Sequence, residues 1–228
     1  GFDPALELAA HLLDAMKSNC AISQNCPRVL VPEPSWKLWG AIFERALTEG
    51  DTKIVAESGQ ELRVDSMVMK EVSPVLRAML TSQLKEGTES VINVTESADT
   101  VRAFAEMVYT GALPVTDASD EVGTTEPSVD TLLGIFGLCH RWQSNSFAEF
   151  VEAKLLPKVE ASNFEQLLEV AVLHNSVPLR HRCLQIANNV QGLDERFRKG
   201  ELSATVAAEL RHLFGNSTAG NKKRRTLM

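Results

Sequence analysis

The sequence predicts an α+β protein in which a small sheet is flanked by helices and followed by an all-helical region. A hairpin pattern comes first. Residues 53–57 and 60–64 carry β-branched and apolar residues on either side of Ser58-Gly59, and Gly59 can take the positive φ that a tight turn requires. Helical spacing of the apolar residues follows directly, and from Val129 onward the pattern is helical throughout. These observations indicate one small sheet and a large helical fraction.

Two short helices are predicted directly after the hairpin. The first has apolar residues at helical spacing, at Met67, Val68 and Val72. The second begins at Ser73-Pro74, and Pro74 is tolerated in its first turn because the missing N–H costs nothing there. The hairpin is therefore expected to lead into a pair of helices joined at the proline.

A lone strand and a longer helix come next. The strand is expected at residues 90–94, and the helix closes in the sequence Val108-Tyr109-Thr110-Gly111. Ser97 is the residue type that caps a helix start, and Gly111 is suited to the left-handed position that ends one. Both ends of this helix are thus marked in the sequence.

The order of these elements between Asp51 and Gly111 resembles the BTB/POZ interaction domain. In that family a strand ending in a large apolar residue, here Leu62, leads through a helix to Ser-Pro-Val-Phe and a short hydrophobic run. The matching residues, Ser73 to Leu80, read Ser-Pro-Val-Leu-Arg-Ala-Met-Leu. Asp65 and Ser66 stand where the family usually has His and then a basic residue. The resemblance implies a BTB/POZ fold and a role in binding other proteins.

Four sections are predicted along the chain. They are an N-terminal helix and irregular segment at 1–34, the BTB/POZ-like domain at 35–157, a helical extension at 158–215 and a flexible basic tail at 216–228. The acidic loop at 112–128 is longer than most connections within a compact domain, which indicates a solvated insertion. The five helices expected after it cover 129–141, 146–156, 163–174, 177–190 and 202–214.

Two helices of the extension resemble the three-box or BACK-like helices that follow the BTB domain in its cullin-binding relatives. They are the helices at 163–174 and 177–190, which are expected to pack as an antiparallel pair. The apolar residues expected to face one another are Leu167, Leu168, Val170, Ala171 and Leu173 on the first helix and Leu179, Cys183, Leu184 and Ile186 on the second.

Composition and charge bound the possible functions. The chain has 228 residues, 44% of them hydrophobic, which is enough to bury a sizeable core. Its net charge is −7, and four basic residues lie in the last seven positions, so the remainder is a poor match for a nucleic-acid backbone. No apolar run approaches the roughly 18 residues of a membrane-spanning helix. Four scattered cysteines favour a reducing compartment, cytoplasmic or nuclear.

The sequence contains no pattern typical of a catalytic, cofactor or metal site. The nucleophile elbow, the phosphate-binding loop, the dinucleotide fingerprint and the zinc-protease motif are all absent from the sequence. The cysteines and histidines do not have structural zinc spacing. We therefore expect no catalytic residue, no bound cofactor and no metal, and the chain is not predicted to be an enzyme.

The helix Trp36–Leu47 is apolar over a wider arc than core packing requires. One stripe runs through Trp36, Trp39, Phe43 and Ala46, and a second through Leu38 and Ile42. In the BTB family the helix before the hairpin commonly packs against its counterpart in a second subunit. The resemblance therefore implies a homodimer, with Trp36, Trp39, Ile42 and Phe43 at the interface. In the alternative, residues 1–34 fold back over this helix within one chain.

The triplet Leu84-Lys85-Glu86 lies just after the Ser-Pro helix. Cullin-binding members of the family carry a hydrophobic-x-Glu triplet at this place, where the apolar residue enters a pocket on the cullin and the Glu accepts hydrogen bonds. The resemblance implies that Leu84 and Glu86 bind a cullin scaffold. The alternative is a solvated helix end, because an exposed Leu beside charges is common on any surface.

The basic cluster near the end of the chain is a candidate nuclear import signal. It consists of Lys222, Lys223, Arg224 and Arg225, after a Gly- and Ser-containing linker. The alternatives are a solubilising end or a join to further sequence.

The combined prediction is a dimeric adaptor that brings an unknown substrate protein to a cullin-based ubiquitin ligase. The expected partners are a second copy of the chain, a cullin and that substrate, with neither nucleic acid nor a membrane among them. The competing function is a scaffolding or transcription-associated BTB dimer that does not bind a cullin.

Overall fold

The computed structural model describes residues 33–83, 85–114, 116–117, 124–125 and 127–214. The chain divides after Val151 into two compact units, and the division lies within one helix, Asn145–Leu155.

The first unit contains the sheets and the helices that surround them. Its elements begin with α1 (Glu33–Glu49), β1 (Thr52–Val55), β2 (Glu61–Val64), α2 (Ser66–Val72), α3 (Pro74–Thr81), α4 (Lys85–Glu89) and β3 (Val91–Asn93). They continue with α5 (Ala98–Thr110), β4 (Thr116–Asp117), β5 (Thr124–Thr125), α6 (Val129–Arg141) and α7 (Asn145–Leu155). The predicted hairpin, Ser-Pro helix and lone strand are all confirmed.

The main sheet is small and mixed. Its order is β2-β1-β3, with β1 antiparallel to β2 and parallel to β3. Ile54 lies opposite both Leu62 and Ile92, and its side chain is fully buried. Gly59 has φ +80° in the hairpin turn, as the sequence predicts. β1 and β3 are parallel and therefore need a crossover connection. That connection runs through β2 and then through α2, α3 and α4.

The core of the first unit lies where α5 packs against α1 and α6. Phe104 of α5 is fully buried and meets Trp142 edge-on, with ring centroids 5.0 Å apart. α5 and α6 approach closely at Gly134, where an added Cβ would lie 2.6 Å from the methyl group of Thr100. Ser73 caps α3 by accepting a hydrogen bond from the Leu76 N–H, and its hydroxyl donates to the Trp142 carbonyl.

Two short strands that the sequence does not predict lie within the segment 112–128. Within it β4 and β5 form a two-residue antiparallel pair, with Thr116 opposite Thr125 and Asp117 opposite Thr124. Threonine favours extended backbone because it is β-branched, which explains a ladder in an otherwise acidic segment.

The second unit is helical in the part of the chain that the structure describes. After α7 come a 3-10 turn (Leu156–Lys158), α8 (Phe164–Leu173), α9 (Val177–Ala187), α10 (Leu193–Lys199) and α11 (Ala204–Phe214). α8 and α9 pack together through Leu167, Leu168, Ala171, Leu179 and Cys183, all buried as expected. Ion pairs join Arg196 to Glu165 at 2.5 Å and Arg180 to Glu209 at 2.5 Å.

Helix α10 is not predicted from the sequence. It has seven residues, Leu-Asp-Glu-Arg-Phe-Arg-Lys, and Leu193 is its one buried side chain. Its two apolar residues, Leu193 and Phe197, have helical spacing but are too few to establish a periodic pattern. Gly192 and Gly200, with φ +74° and +71°, set its two ends.

Candidate protein-interaction surfaces

Helix α1 packs one apolar stripe into the core of its own chain. Phe43 is 2% exposed, and its ring centroid lies 5.3 Å from that of Tyr109 on α5. The Arg102 guanidinium lies 6.0 Å from the centre of the Phe43 ring, and Ala46 is buried one turn further on. The expectation that Phe43 contacts a second subunit is therefore corrected, because Phe43 is a core residue of the monomer.

The second stripe of α1 faces outward. Leu38 is 57% exposed, and Ile42 and Trp39 are half-buried. Trp36 belongs to the same helix, but the prediction for its side chain falls outside the described residues. The apolar surface available to a partner on α1 is thus the outward stripe of Leu38 and Ile42, flanked by Trp39.

A hydrogen-bond network joins the end of α1, the start of α2 and the end of α5. The Asp51 carboxylate accepts hydrogen bonds from the Ser66 N–H (2.6 Å) and hydroxyl (2.7 Å). The Tyr109 hydroxyl accepts from the Asp65 N–H at 2.7 Å and donates to the Asp65 carboxylate at 3.2 Å. Asp65 and Ser66, the two departures from the family pattern, are thus occupied in bonds within the chain.

Burial and these hydrogen bonds shift the pKa values of Asp51 and Tyr109. Partial burial tends to raise the pKa of Asp51, but the hydrogen bonds from Ser66 outweigh it and hold that pKa below its usual value. Burial raises the pKa of the Tyr109 hydroxyl, and the negative charges of Asp65 and Asp51 add to the effect. Ionising Tyr109 would therefore disrupt the network.

The Tyr109 hydroxyl can be followed alone because the chain has one tyrosine. We expect an alkaline absorbance titration of the folded protein to give a Tyr109 pKa above the ordinary value of about 10, and the same titration in urea to give that ordinary value. Since the folded pKa is raised, the stability that Tyr109 contributes is complete below pH about 10 and is lost as the pH rises further. Equal pKa values with and without urea would contradict the network, and Tyr109→Phe should abolish the signal.

The segment predicted to bind a cullin forms the short helix α4, between α3 and β3. Leu84 lies outside the described residues, and Glu86 is half-buried on α4. No described residue donates a hydrogen bond to the Glu86 carboxylate, and its neighbour Lys85 is 3.8 Å from Glu89. The carboxylate is therefore free to accept a hydrogen bond from a partner.

The comparison with known families agrees with this geometry. Residues 43–135 match the family model of the BTB/POZ domain, from the buried Phe43 to Ile135 within α6. This part of the chain has the BTB/POZ fold. Such domains bind other proteins, and here the fold has a small mixed sheet and a helical cluster followed by further helices.

One solved structure is similar to part of this chain. The BTB domain of human gigaxonin is 15% identical to this chain, with a TM-score of 0.39, and the match covers 57% of this chain and 97% of that one. No curated protein sequence matches the chain.

A further apolar surface lies beyond the BTB/POZ domain, at the turn between α8 and α9. Leu173 is 77% exposed and Val177 is 69% exposed, whereas the sequence placed Leu173 in the packing face of α8. That placement is wrong because Leu173 lies opposite Phe164, Leu167, Leu168 and Ala171 around the helix, and those four residues fill the buried face. The turn itself holds Asn175 at φ +53°.

Other expected features concern metals, membranes and the tail. In the described ranges no group of three or more His, Cys, Asp or Glu side chains could hold a metal ion. No described helix has the length and apolar character needed to cross a bilayer. Burial raises the pKa of the Cys139 and Cys183 thiols to about 12, so neither is a reactive thiolate at neutral pH. The tail, Lys222–Arg225, lies outside the described residues.

Proposed function

We propose that the chain is a dimeric adaptor that binds a cullin through Leu84 and Glu86 and brings a substrate protein to a ubiquitin ligase. The observation that carries the proposal is Glu86, whose carboxylate has no donor among the described residues although its side chain is half-buried. Because the triplet directly follows the Ser-Pro helix of a BTB/POZ domain, it lies where cullin-binding members of the family carry theirs. No active site is required for this role.

The adaptor function can be tested by chromatography with light scattering. The 228-residue chain, mixed with the N-terminal domain of a cullin, should elute as one complex with equal numbers of the two proteins. Separate peaks for every cullin tested would contradict the proposal.

Dimerisation is proposed to use the outward stripe of α1. A buried Leu contributes roughly 1.5–3 kcal/mol, so Leu38 and Ile42, repeated in two copies, would form the centre of an isologous interface. Substituting Leu38 should separate the subunits without unfolding them because its side chain is largely exposed in one chain. Substituting Phe43 should unfold the domain.

We expect Leu38→Glu to convert the native dimer into a folded monomer. Light scattering should fall from twice the chain mass of 25.0 kDa to that mass, with unchanged circular dichroism. Ser58→Glu, in the exposed hairpin turn, is the matched control for added charge and should remain dimeric. A monomeric native chain would contradict the dimer, and a dimeric Leu38→Glu variant would place the interface elsewhere.

The helical extension is proposed to add contact area for the cullin, as the resemblance to three-box helices implies. Leu173 and Val177 are the exposed apolar side chains available for such a contact on α8 and α9. Deleting both helices should weaken cullin binding without abolishing it. The tail, Lys222–Arg225, remains a predicted nuclear import signal, and replacing it with alanines should shift the protein from nucleus to cytoplasm.

The second candidate is a scaffolding or transcription-associated BTB dimer that binds no cullin. It is favoured by the outward stripe of α1, because a dimer formed through that stripe would not depend on cullin binding by α4. The two functions make the same prediction for Leu38→Glu and opposite predictions for cullin binding.

A further inference from the structure

Helix α4 lies unusually close to the end of α3. A Cβ added at Gly87 would lie 2.0 Å from the Ser82 carbonyl oxygen and 3.1 Å from that of Met79. Both neighbours are backbone atoms, so the contact cannot be relieved by turning a side chain. Any residue other than glycine at position 87 must therefore move the backbone of α3 or α4.

The packing decides which of the two helices would move. α3 is anchored in the core by Leu76, which is fully buried, and by Leu80, which is 8% exposed. None of the five residues of α4 is buried. Its downstream end is held by Ser90, whose backbone has φ +54° and whose carbonyl accepts a hydrogen bond from the Lys53 N–H at 2.8 Å. A side chain at position 87 would displace α4 from α3 and leave the core in place.

We infer that Gly87 is a positioning residue for cullin binding, which lets α4 lie against the Met79 and Ser82 carbonyls and so fixes where Glu86 is presented. The expected effect on cullin affinity rests on the proposed function, whereas the placement of α4 by Gly87 does not. Recognition of a carboxylate depends on its placement to within about 0.5 Å. A Cβ placed 2.0 Å from a carbonyl oxygen must move by about 1 Å to reach an ordinary contact distance, which exceeds that tolerance.

The test compares Gly87→Ala and Gly87→Ser with Gly40→Ala, each in the whole 228-residue chain. Gly40 lies on α1 with nothing within 4 Å of an added Cβ, so it controls for the loss of a glycine. We expect both Gly87 variants to behave alike, because the shared Cβ causes the clash. Amide hydrogen exchange at residues 85–89 of the free protein should rise about tenfold, and exchange in α5 should not change. Affinity for a cullin N-terminal domain should fall about tenfold or more.

The possible outcomes distinguish the positioning role of Gly87 from the proposed cullin-binding function. If the native chain binds a cullin while Gly87→Ala matches Gly40→Ala in exchange and affinity, the positioning role is wrong and the proposed function stands. If the native chain binds no cullin, the proposed function fails, and faster exchange at 85–89 would still support the positioning of α4 by Gly87. If Gly87→Ala unfolds the domain or speeds exchange in α5, Gly87 serves the whole core and the inference is overturned.

Discussion

Gly50→Ala is expected to destabilise the BTB/POZ domain by about 3 kcal/mol, near the upper end for overpacking. Gly50 is buried between the end of α1 and β2, where an added Cβ would lie 2.6 Å from the Ala46 carbonyl oxygen and 2.7 Å from both the N and O atoms of Val64. All three are backbone atoms. The Gly50 N–H donates to that same Ala46 carbonyl at 2.9 Å, which is the i→i−4 bond that ends α1, so a Cβ at position 50 would crowd both the helix end and β2.

The measurement is urea unfolding followed by tryptophan fluorescence. All three tryptophans, at positions 36, 39 and 142, precede the division after Val151, so the signal reports the first unit. Gly40→Ala on the same helix is the control, and it should be neutral or stabilise by about 0.5–1 kcal/mol because Ala is the better helix former. Equal unfolding midpoints for the two variants would show that α1 does not end against β2 as described.

Leu84→Asp is expected to weaken cullin binding at least about tenfold while leaving the fold intact. Burying a leucine side chain contributes roughly 1.5–3 kcal/mol, and an aspartate in the same pocket would lose that and add a desolvation cost. Glu86→Ala should cost less. Its carboxylate is flanked by the exposed Lys85 and the half-buried Gly87, so we expect a hydrogen bond at the rim of the interface rather than in its desolvated centre.

Lys85→Ala is the matched control for this pair. The Lys85 side chain is 67% exposed and its contact with Glu89, at 3.8 Å, is long, so its removal should change affinity little. Calorimetry with one cullin domain gives all three affinities. If Leu84→Asp bound as tightly as the native chain, the triplet would not be the contact, whatever the affinity of Lys85→Ala.

Local chemistry made much of the fold predictable from the sequence. Gly59 at φ +80° and Gly111 at φ +70° occupy positions that few other residues tolerate, and Ser73 and Ser97 cap the helices that follow them. Each of these features involves residues within four positions of one another. A single sequence records such short-range requirements directly.

The direction in which an apolar helix faces could not be predicted in the same way. α1 has two apolar stripes, and only tertiary packing against Tyr109 decides that Phe43 is buried and Leu38 exposed. Leu173 is misplaced for the same reason, since α8 has apolar residues around most of its circumference. Periodicity locates such helices but does not select between faces that are equally apolar.

The hydrogen bonds around Tyr109 were not predicted from the sequence. Asp65 and Tyr109 are 44 positions apart, and neither lies in a recognisable motif beyond the family pattern. The structure explains the departure at Asp65 and Ser66, because both residues bond within the chain. The one clue in the sequence is the single tyrosine near the end of α5, since a buried Tyr usually finds a hydrogen-bond partner.

The most direct test of the adaptor function is a calorimetric titration of the native 228-residue chain with a panel of cullin N-terminal domains. The proposal predicts that at least one cullin binds with a dissociation constant of about 1 μM or below and with one cullin per chain, which corresponds to about −8 kcal/mol. No measurable heat for any cullin at tens of micromolar would contradict it and favour the second candidate, a BTB scaffold that binds no cullin.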